Sequence, residues 1–549
     1  MRGNDRRSPR TQLAPWVVVI TACQGGVVSP PHDAGGSPSD GASESGREDV
    51  LALDGAPDTA MDAGDEAEIG REDAQQTEGG PSAVAWDDES RYRSCGDPTT
   101  PDGPMVFAGE RFPALLGVAL DRVAAYRWAG EWLRVPVQID ERRVIAWPDP
   151  QLLHVVRHGW DGVFDHDDDP AFDANDELVL PREAFGAAAP AGAEPPEGVL
   201  GAGVLVRYSP AAGEWAHAYV FRTETPGEDA AFSLVRYRRR DCFTDPAEPS
   251  FPCGTALGSA REDTWVDTPC YSLHYSMNWV LDALHVHAPA GGDGTDLIDR
   301  WKGRGFTSSA EAPFGGGGEH EDHRDQSGTG LCGWSEVDGS HYYVGHTLGP
   351  VRAIRMVRGA CSYANTIRTS FFYRTHVVDH LLLRGHQVPA WSGGIGFYWD
   401  YSVAAAPLTY HREGAPPVAL DGVPDYAAPN VAPMSLSALE AGTWEQVSSA
   451  RGSLLFHTTQ SLAFSAGATT NSFSVYLLDD LAHDDGTGEE PGLVGGHGLR
   501  FQTLQDTEKN PAGLRMVIRP AAANLPNVGS AFSSVLGVQE VVEVTEPVW

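Results

Sequence analysis

Short runs in which apolar and polar residues alternate recur along the chain from about residue 91 onward. In WLRVPVQID (132–140) the alternation has a period of two, which is the pattern of a half-buried strand. Similar runs, bounded by Gly, Pro or Asp, are 104–108, 124–128, 178–180, 201–208, 214–223 and 232–237. We therefore predict a β-sandwich-like domain over residues 91–240.

The second half of the chain is also predicted to be rich in strands. Residues 366–387 form one long extended run, and no helical stretch longer than 278–287 is evident. The other expected strands are 340–349, 351–358, 394–401, 452–459, 473–478, 514–519 and 535–544. We assign residues 241–549 to a larger β-rich domain, in which a further boundary stays open. The expected fold class is mainly β, with β-sandwich-type domains.

The N-terminal segment has the parts of an export signal. Residues 1–12 hold four arginines and one acid, and 13–22 (LAPWVVVITA) is an apolar run too short to span a bilayer. The run ends in Ile-Thr-Ala-Cys, with small residues before Cys23. This segment resembles the bacterial lipoprotein signal, which implies that Cys23 is lipidated and anchors the protein in the cell envelope, with Gln24 favouring the outer membrane. A plain secretory signal and an unprocessed tail are the alternatives.

Residues 24–90 are predicted to be a disordered acidic linker. They contain seventeen acidic residues and two arginines, and Gly, Ser, Ala and Pro supply most of the remainder. A segment with so few apolar residues cannot offset the entropy lost on ordering, and its like charges extend it. The formal net charge of the whole chain is −37, which argues against nucleic acid as a partner because no basic surface would neutralise phosphates.

The seven cysteines fit an oxidising compartment. With Cys23 assigned to the lipid, an even number remains, which permits three disulfides in fifteen possible connectivities. The pairs that we expect first are Cys242–Cys253, Cys332–Cys361 and Cys95–Cys270. A set of buried free thiols is the alternative.

The densest acidic stretch is DHDDDPAFDANDE (165–177). Calcium takes several oxygen ligands from flexible loops, and carboxylates at this density supply them locally. The stretch departs from an EF-hand loop because Pro170 stands where that loop needs Gly. The alternative is a solvated acidic hairpin. The candidate ligands of a calcium ion are Asp165, Asp167, Asp169, Asp173 and Asp176.

The run 368–386 is the candidate site for an organic ligand. As one strand it would turn its odd positions to the core and its even positions, with three arginines and three histidines, to one polar face. Guanidinium–carboxylate pairs and ring stacking suit an anionic sugar. A solvated sheet face, with its cations paired to surface acids, is the alternative. The candidate residues are Arg368, Arg374, His376, His380, Arg384 and, from a nearby strand, Trp399.

No motif identifies a reaction, since the chain lacks a Gly-x-Ser-x-Gly elbow, a P-loop and a convincing dinucleotide fingerprint. Residues 173–180, following 135–140, are similar to a pattern in uncharacterised secreted bacterial β-sandwich proteins, and this resemblance implies no activity. Two functions stay open: a non-catalytic lipoprotein that binds an envelope or extracellular polysaccharide, and a polysaccharide lyase or glycoside hydrolase on a β-sandwich scaffold. A lyase needs His or Tyr as acid or base and Arg near the uronate, whereas a hydrolase needs two carboxylates beside the bond.

Overall fold

The computed structural model describes most of the chain after residue 91. Within the described ranges, no helix is both long and apolar enough to cross a bilayer. The predictions for the signal with Cys23, for the linker and for four further cysteines (Cys242, Cys253, Cys332 and Cys361) fall outside the described residues and stay predictions. The described ranges are 92–144, 161–163, 171–210, 213–225, 233–241, 261–277, 281–306, 343–358, 367–383, 394–423, 430–462, 472–479, 495–502, 512–537 and 541–545.

The described residues are mainly β-strand, which confirms the predicted fold class. In the described ranges two short α-helices accompany the strands: α1 (Leu436–Ala441) and α2 (Gly529–Leu536). The strands are β1 (Met105–Ala108), β2 (Val123–Trp128), β3 (Trp132–Val135), β4 (Gln138–Asp140), β5 (Arg142–Val144), β6 (Asp161–Val163), β7 (Glu177–Leu180), β8 (Val199–Tyr208), β9 (Ala216–Thr223), β10 (Arg236–Asp241), β11 (Arg261–Asp267), β12 (Tyr271–Met277), β13 (Leu281–Val286), β14 (Ile298–Phe306), β15 (Tyr343–Leu348), β16 (Arg352–Arg358), β17 (Ile367–Tyr373), β18 (Val377–Leu383), β19 (Gly394–Tyr401), β20 (Leu408–Arg412), β21 (Val418–Leu420), β22 (Asn430–Met434), β23 (Thr443–Ser449), β24 (Ser453–Leu462), β25 (Ser472–Leu478), β26 (Gly496–Gln502), β27 (Ala512–Ala521) and β28 (Val542–Thr545).

Two large antiparallel sheets form a sandwich. Sheet I has the strand order β10-β11-β12-β13-β14-β19-β26-β25-β22, and sheet II has the order β15-β16-β17-β18-β27-β24-β23-β20-β21. Their facing side chains share one apolar core: Tyr275 of sheet I lies edge-on to Phe372 of sheet II, and Trp399 packs against Phe456. Alternate residues of each strand enter this core because successive side chains of a strand point to opposite faces of the sheet.

A smaller unit packs a three-stranded sheet and a five-stranded sheet around a second core. The three-stranded sheet has the order β1-β7-β4, and the five-stranded sheet has the order β28-β8-β9-β2-β3. Phe107, Phe112 and Phe172 meet edge-to-face in this core. The last described strand, β28, pairs with β8, so the smaller unit is built from two distant stretches of the chain.

A buried polar network joins the smaller unit to sheet II. The guanidinium of Arg352 contacts Asp140 Oδ2 through Nε at 2.7 Å and through Nη2 at 2.6 Å, and it also contacts Glu177. The side-chain amide of Gln138 accepts from the backbone N–H of Arg352 at 2.8 Å and donates to its carbonyl at 3.0 Å. Buried charges need such partners, so the network sets the position of β4 and β7 against β16.

One predicted disulfide is present. Cys95, just before the smaller unit, is bonded to Cys270, which directly precedes β12 of sheet I. The two residues are 175 positions apart in the sequence. This disulfide confirms one of the three predicted pairs. Cys270 is buried in the large core.

The structure differs from the sequence prediction in several segments. The run 132–140 is broken at Pro136, which has no N–H to donate to a ladder, so β3 joins the five-stranded sheet and β4 the three-stranded one. The described part of 278–287 is a strand, β13, rather than a helix. The described part of 535–544 holds the end of α2 and the start of β28, and the described part of 366–387 is not one strand but the hairpin of β17 and β18.

Candidate functional site

A cleft of about 600 Å³ lies on the face of sheet II that points away from sheet I. In β18, Val377 and Leu381 enter the large core, whereas Val378 and His380 line the cleft together with His376, which directly precedes the strand. The floor continues onto β17 and β27. Its size is within the usual range for a small-molecule site.

The hairpin of β17 and β18 decides which side chains reach this floor. Tyr373 donates its backbone N–H to the carbonyl of His376 at 2.9 Å, across a turn at Arg374 and Thr375. Residues that are opposite each other in a hairpin share a face, so the odd positions of β17 meet the even positions of β18. Phe371 is opposite Val378, and both line the cleft.

Tertiary contacts hold the turn. The hydroxyl of buried Tyr271 donates to the carbonyl of Tyr373 at 2.7 Å and to that of His376 at 3.1 Å. Arg374 donates to the carbonyl of Tyr92 at 2.7 Å and pairs with Glu183 at 2.5 Å. None of these partners is local in sequence, which is why the turn needs no Gly, Pro or Asn of its own.

Arg515 of β27 is the cation of the floor that lies beside His380. It is opposite His380 of β18 on one side and Thr459 of β24 on the other. Partial burial lowers the pKa of its guanidinium. In the described part of the chain it has neither a hydrogen bond nor a carboxylate partner. A half-buried cation without a counter-ion is costly to keep, so the site favours an anion here.

Two neutral histidines lie beside the arginines. Burial and then the charge of Arg515 lower the pKa of His380 to about 4. Burial and the charges of four arginines, Arg519 and Arg515 foremost, lower the pKa of His376 well below its ordinary value. The His376 ring stacks on Tyr373 with centroids 4.8 Å apart. At neutral pH both imidazoles are therefore uncharged and able to accept a proton.

The acidic groups that line the cleft are already paired. Asp102 contacts Arg519 at 2.5 Å. Glu177 contacts Arg352 and, at 3.1 Å, Arg142. Burial raises the pKa of Glu177, but the charges of these two arginines outweigh burial and the net pKa is lowered. Among the described residues, five arginines against two carboxylates line the cleft, which makes it positive within a strongly acidic chain.

The walls come from outside sheet II. The segment before β1 forms one wall, where the carbonyl of Gly103 accepts from Arg182 Nε at 2.8 Å. Gly103 also lies against the His376 ring, so closely that an added Cβ would be 3.2 Å from it. α2 forms another part of the wall and presents Phe532, Val535 and Leu536.

The six residues predicted to bind a ligand are separated by the fold. His376 and His380 line the cleft together. Arg368 is fully buried, pairs with Asp379 at 2.7 Å and lies over the Trp301 ring at 3.8 Å, and Trp399 is also in the large core. Arg374 supports the turn instead of lining the cleft. Arg384 is outside the described residues.

Sequence reasoning missed the arginines of β27. Arg515 and Arg519 are four positions apart within 514–519, so strand periodicity alone puts both on one face. That signal was available. What it did not show was that this face is the one that carries His380.

The acidic stretch is only partly described. The Asp176 carboxylate accepts from the backbone N–H of Asp173 at 2.8 Å and of Arg142 at 3.2 Å. The Asp173 carboxylate accepts from the N–H of Asn175 at 2.9 Å. Among the described residues no group of three His, Cys, Asp or Glu side chains is placed to hold a metal ion. Asp165, Asp167 and Asp169 lie outside the described ranges, so calcium binding stays a prediction.

Comparisons with known proteins add little to this geometry. No protein-family profile and no curated protein matches the chain. Among solved structures, a putative aldose 1-epimerase from Escherichia coli K12 aligns with 46% of this chain and 96% of its own length, at 10% identity and a TM-score of 0.25. An overlap this loose carries no inference about activity.

Proposed function

We propose that the cleft on sheet II binds an acidic saccharide, in a protein that works in the bacterial cell envelope. The observation that carries this proposal is Arg515, a half-buried guanidinium in the floor that has no counter-ion among the described residues. A ligand carboxylate would supply the missing partner through charge-assisted, bidentate hydrogen bonds. The chain has a net charge of −37, so acidic side chains greatly outnumber basic ones. An arginine that is left without a carboxylate partner is therefore unexpected.

The rest of the floor suits a sugar ring. Apolar and aromatic surface from Phe371, Val378 and Val517 lies next to polar groups. Pyranose rings have apolar faces and a rim of hydroxyls, so they bind well to mixed surfaces of this kind. The neutral imidazoles of His376 and His380 each have a nitrogen lone pair that can accept from a ligand hydroxyl.

The test is a binding measurement on Arg515→Gln. Purified protein is titrated with uronate oligosaccharides and with neutral oligosaccharides of the same length. Loss of one charge-assisted pair removes about 1.5–3 kcal/mol, so Kd for the acidic ligand should rise about 10- to 100-fold. Binding by the wild type should also weaken with added salt.

The matched control is Arg451→Gln. Arg451 is half exposed and pairs with Asp293 on the surface, away from the cleft lining. This variant should bind as the wild type does. The proposal fails if the wild type prefers no acidic saccharide, or if Arg515→Gln binds as tightly as the control.

The envelope location depends on Cys23, and it has its own test. The apolar run, the small residues before Cys23 and the acidic linker after it support lipidation and an outer-membrane location. Cys23→Ala should leave the protein in the soluble fraction of bacteria that express the full chain. Membrane association that is unchanged in this variant would refute the anchor and leave the cleft proposal standing.

A further inference from the structure

We infer that the cleft cleaves its acidic saccharide by β-elimination at a uronate residue, with Arg515 holding the carboxylate and His380 taking the C5 proton. The inference depends on the proposed binding function and adds a reaction to it. Two observations support it: these two side chains are neighbours in the cleft, and the other candidate bases of the described lining already have ion-pair or hydrogen-bond partners.

His380 and Arg515 are cross-strand neighbours. They are opposite each other in the β18–β27 ladder, and both line the cleft. Side chains in this relation have Cβ atoms roughly 5 Å apart. C5 of a hexuronate is bonded to its carboxyl carbon, so a carboxylate held by Arg515 brings the C5 hydrogen within reach of the His380 imidazole.

The other candidate bases in the described lining are already engaged. Asp102 is paired with Arg519, and Glu177 with Arg352. Burial raises the pKa of Tyr373, whose hydroxyl accepts from Arg352 Nη1 at 3.1 Å.

His376 differs from His380 in its contacts. Its Nδ1 lies 3.0 Å from Thr375 Oγ1, and its ring is stacked between Tyr373 and the Gly103 wall. His380 makes no hydrogen bond to a described residue. Its ring lies edge-to-face against the ring of Phe371. Judged by the described residues, His380 is therefore the imidazole of the lining whose nitrogen lone pair is free, and it lies beside a cation without a carboxylate partner.

The reaction balances without a co-reactant. The His380 lone pair takes the C5 proton, the electrons of the C5–H bond form the C4=C5 double bond, and the C4–O bond breaks. The leaving oxygen then takes the proton from the imidazolium, which restores neutral His380. Arg515 lowers the energy of the intermediate because it offsets the negative charge that builds on the carboxylate.

The electrostatics of the pair fit this cycle. In the free protein the charge of Arg515 helps to keep His380 unprotonated at neutral pH. A bound carboxylate offsets that charge, which raises the proton affinity of the imidazole at the moment when it must accept a proton.

Hydrolysis fits the cleft less well. An enzyme that hydrolyses a glycosidic bond with a carboxylate pair needs one acid to protonate the leaving oxygen and one base or nucleophile. The two carboxylates of the described lining are each held by arginines. Elimination needs neither of them as a reacting group.

The experiment incubates the full chain with alginate, polygalacturonate and hyaluronan, and with a neutral glucan as the negative control. The readouts are the ultraviolet absorbance of the new double bond and the product mass, which for elimination lacks the added water of hydrolysis. At least one uronate polymer that the protein binds should yield unsaturated product. His380→Gln should slow that reaction about 100-fold or more while the polymer still binds.

The matched control is His411→Gln. His411 lies on β20 of the same sheet and outside the cleft lining, and burial lowers its pKa too. This variant should react as the wild type does, and the thermal melts of both variants show that they fold.

The outcomes separate this inference from the proposed function. If the wild type binds uronate polymers but yields only saturated product or none, elimination is refuted and binding stands. Cleavage by His380→Gln at the wild-type rate refutes the assigned base. If the wild type binds no acidic saccharide at all, both proposals fail.

Discussion

Replacing Arg352 by methionine would leave the carboxylate of Asp140 in the interior without its cation. Both side chains are almost completely buried, with 1% and 0% of their surface exposed. Methionine keeps much of the aliphatic volume of the arginine and removes its contacts with Asp140, with Glu177 and with the hydroxyl of Tyr373. Removing one partner of a buried ion pair costs about 3–5 kcal/mol, and we expect a loss of this size for Arg352→Met.

The loss should depend on pH in a defined direction. Burial raises the pKa of Asp140, and the charge of Arg352 is the largest influence that lowers it. Without that charge the folded-state pKa rises further above its value in the unfolded chain. A carboxyl group of this kind binds its proton more tightly when folded, so the variant regains stability as the pH falls. Its deficit should therefore be largest at neutral pH and shrink towards acid pH.

Urea unfolding followed by tryptophan fluorescence measures this difference. The double variant Asp140→Asn with Arg352→Met removes both charges and should be more stable than Arg352→Met alone. The surface pair of Arg451 and Asp293 is the control, and Arg451→Gln should leave the midpoint unchanged within error. If Arg352→Met unfolds at the same urea concentration as that control, the network does not hold the two parts of the structure together and our reasoning is wrong.

Single groups elsewhere in the chain give three further predictions. Cys95→Ser opens the link to Cys270 across 175 positions and should lower the free energy of unfolding by about 5 kcal/mol on the chain-entropy argument, measured by urea unfolding; an unchanged midpoint would contradict it. Burial raises the pKa of Glu445 to about 7, so relative to Glu445→Gln the wild type should lose stability on the order of 3 kcal/mol as the pH rises from the ordinary pKa of a glutamate to about 7, and parallel pH profiles would exclude this. Calcium should raise the melting temperature of the wild type more than that of Asp173→Asn, whereas a wild type indifferent to calcium and to chelator would end the calcium hypothesis.

The strand content could be predicted because it depends on a local pattern. Residues 394–401 alternate in character, and β19 has the predicted bounds. Break points were harder to predict. Pro136 carries a readable signal in its missing N–H, whereas the turn at Arg374 and Thr375 carries none, because Tyr271 and Arg374 hold it through partners far away in sequence.

That turn explains why the candidate site was only partly predicted. On one strand, Arg368, His376 and His380 would share a face. A hairpin turn between them places Arg368 with Asp379 in the large core and leaves the two histidines on the cleft. Because the turn was not predicted, the side chains before it were assigned to the wrong face of the sheet.

Composition and short-range alternation in the sequence by themselves determined three properties: a mainly β body, an acidic composition with few core-forming residues over 24–90, and an even number of cysteines after Cys23. Only the tertiary structure decided which cysteine meets Cys270 and which arginine meets His380. These contacts join residues of strands distant in the chain, and their pairing depends on sheet order and register. Order and register arise when the whole core packs, so no local pattern encodes them.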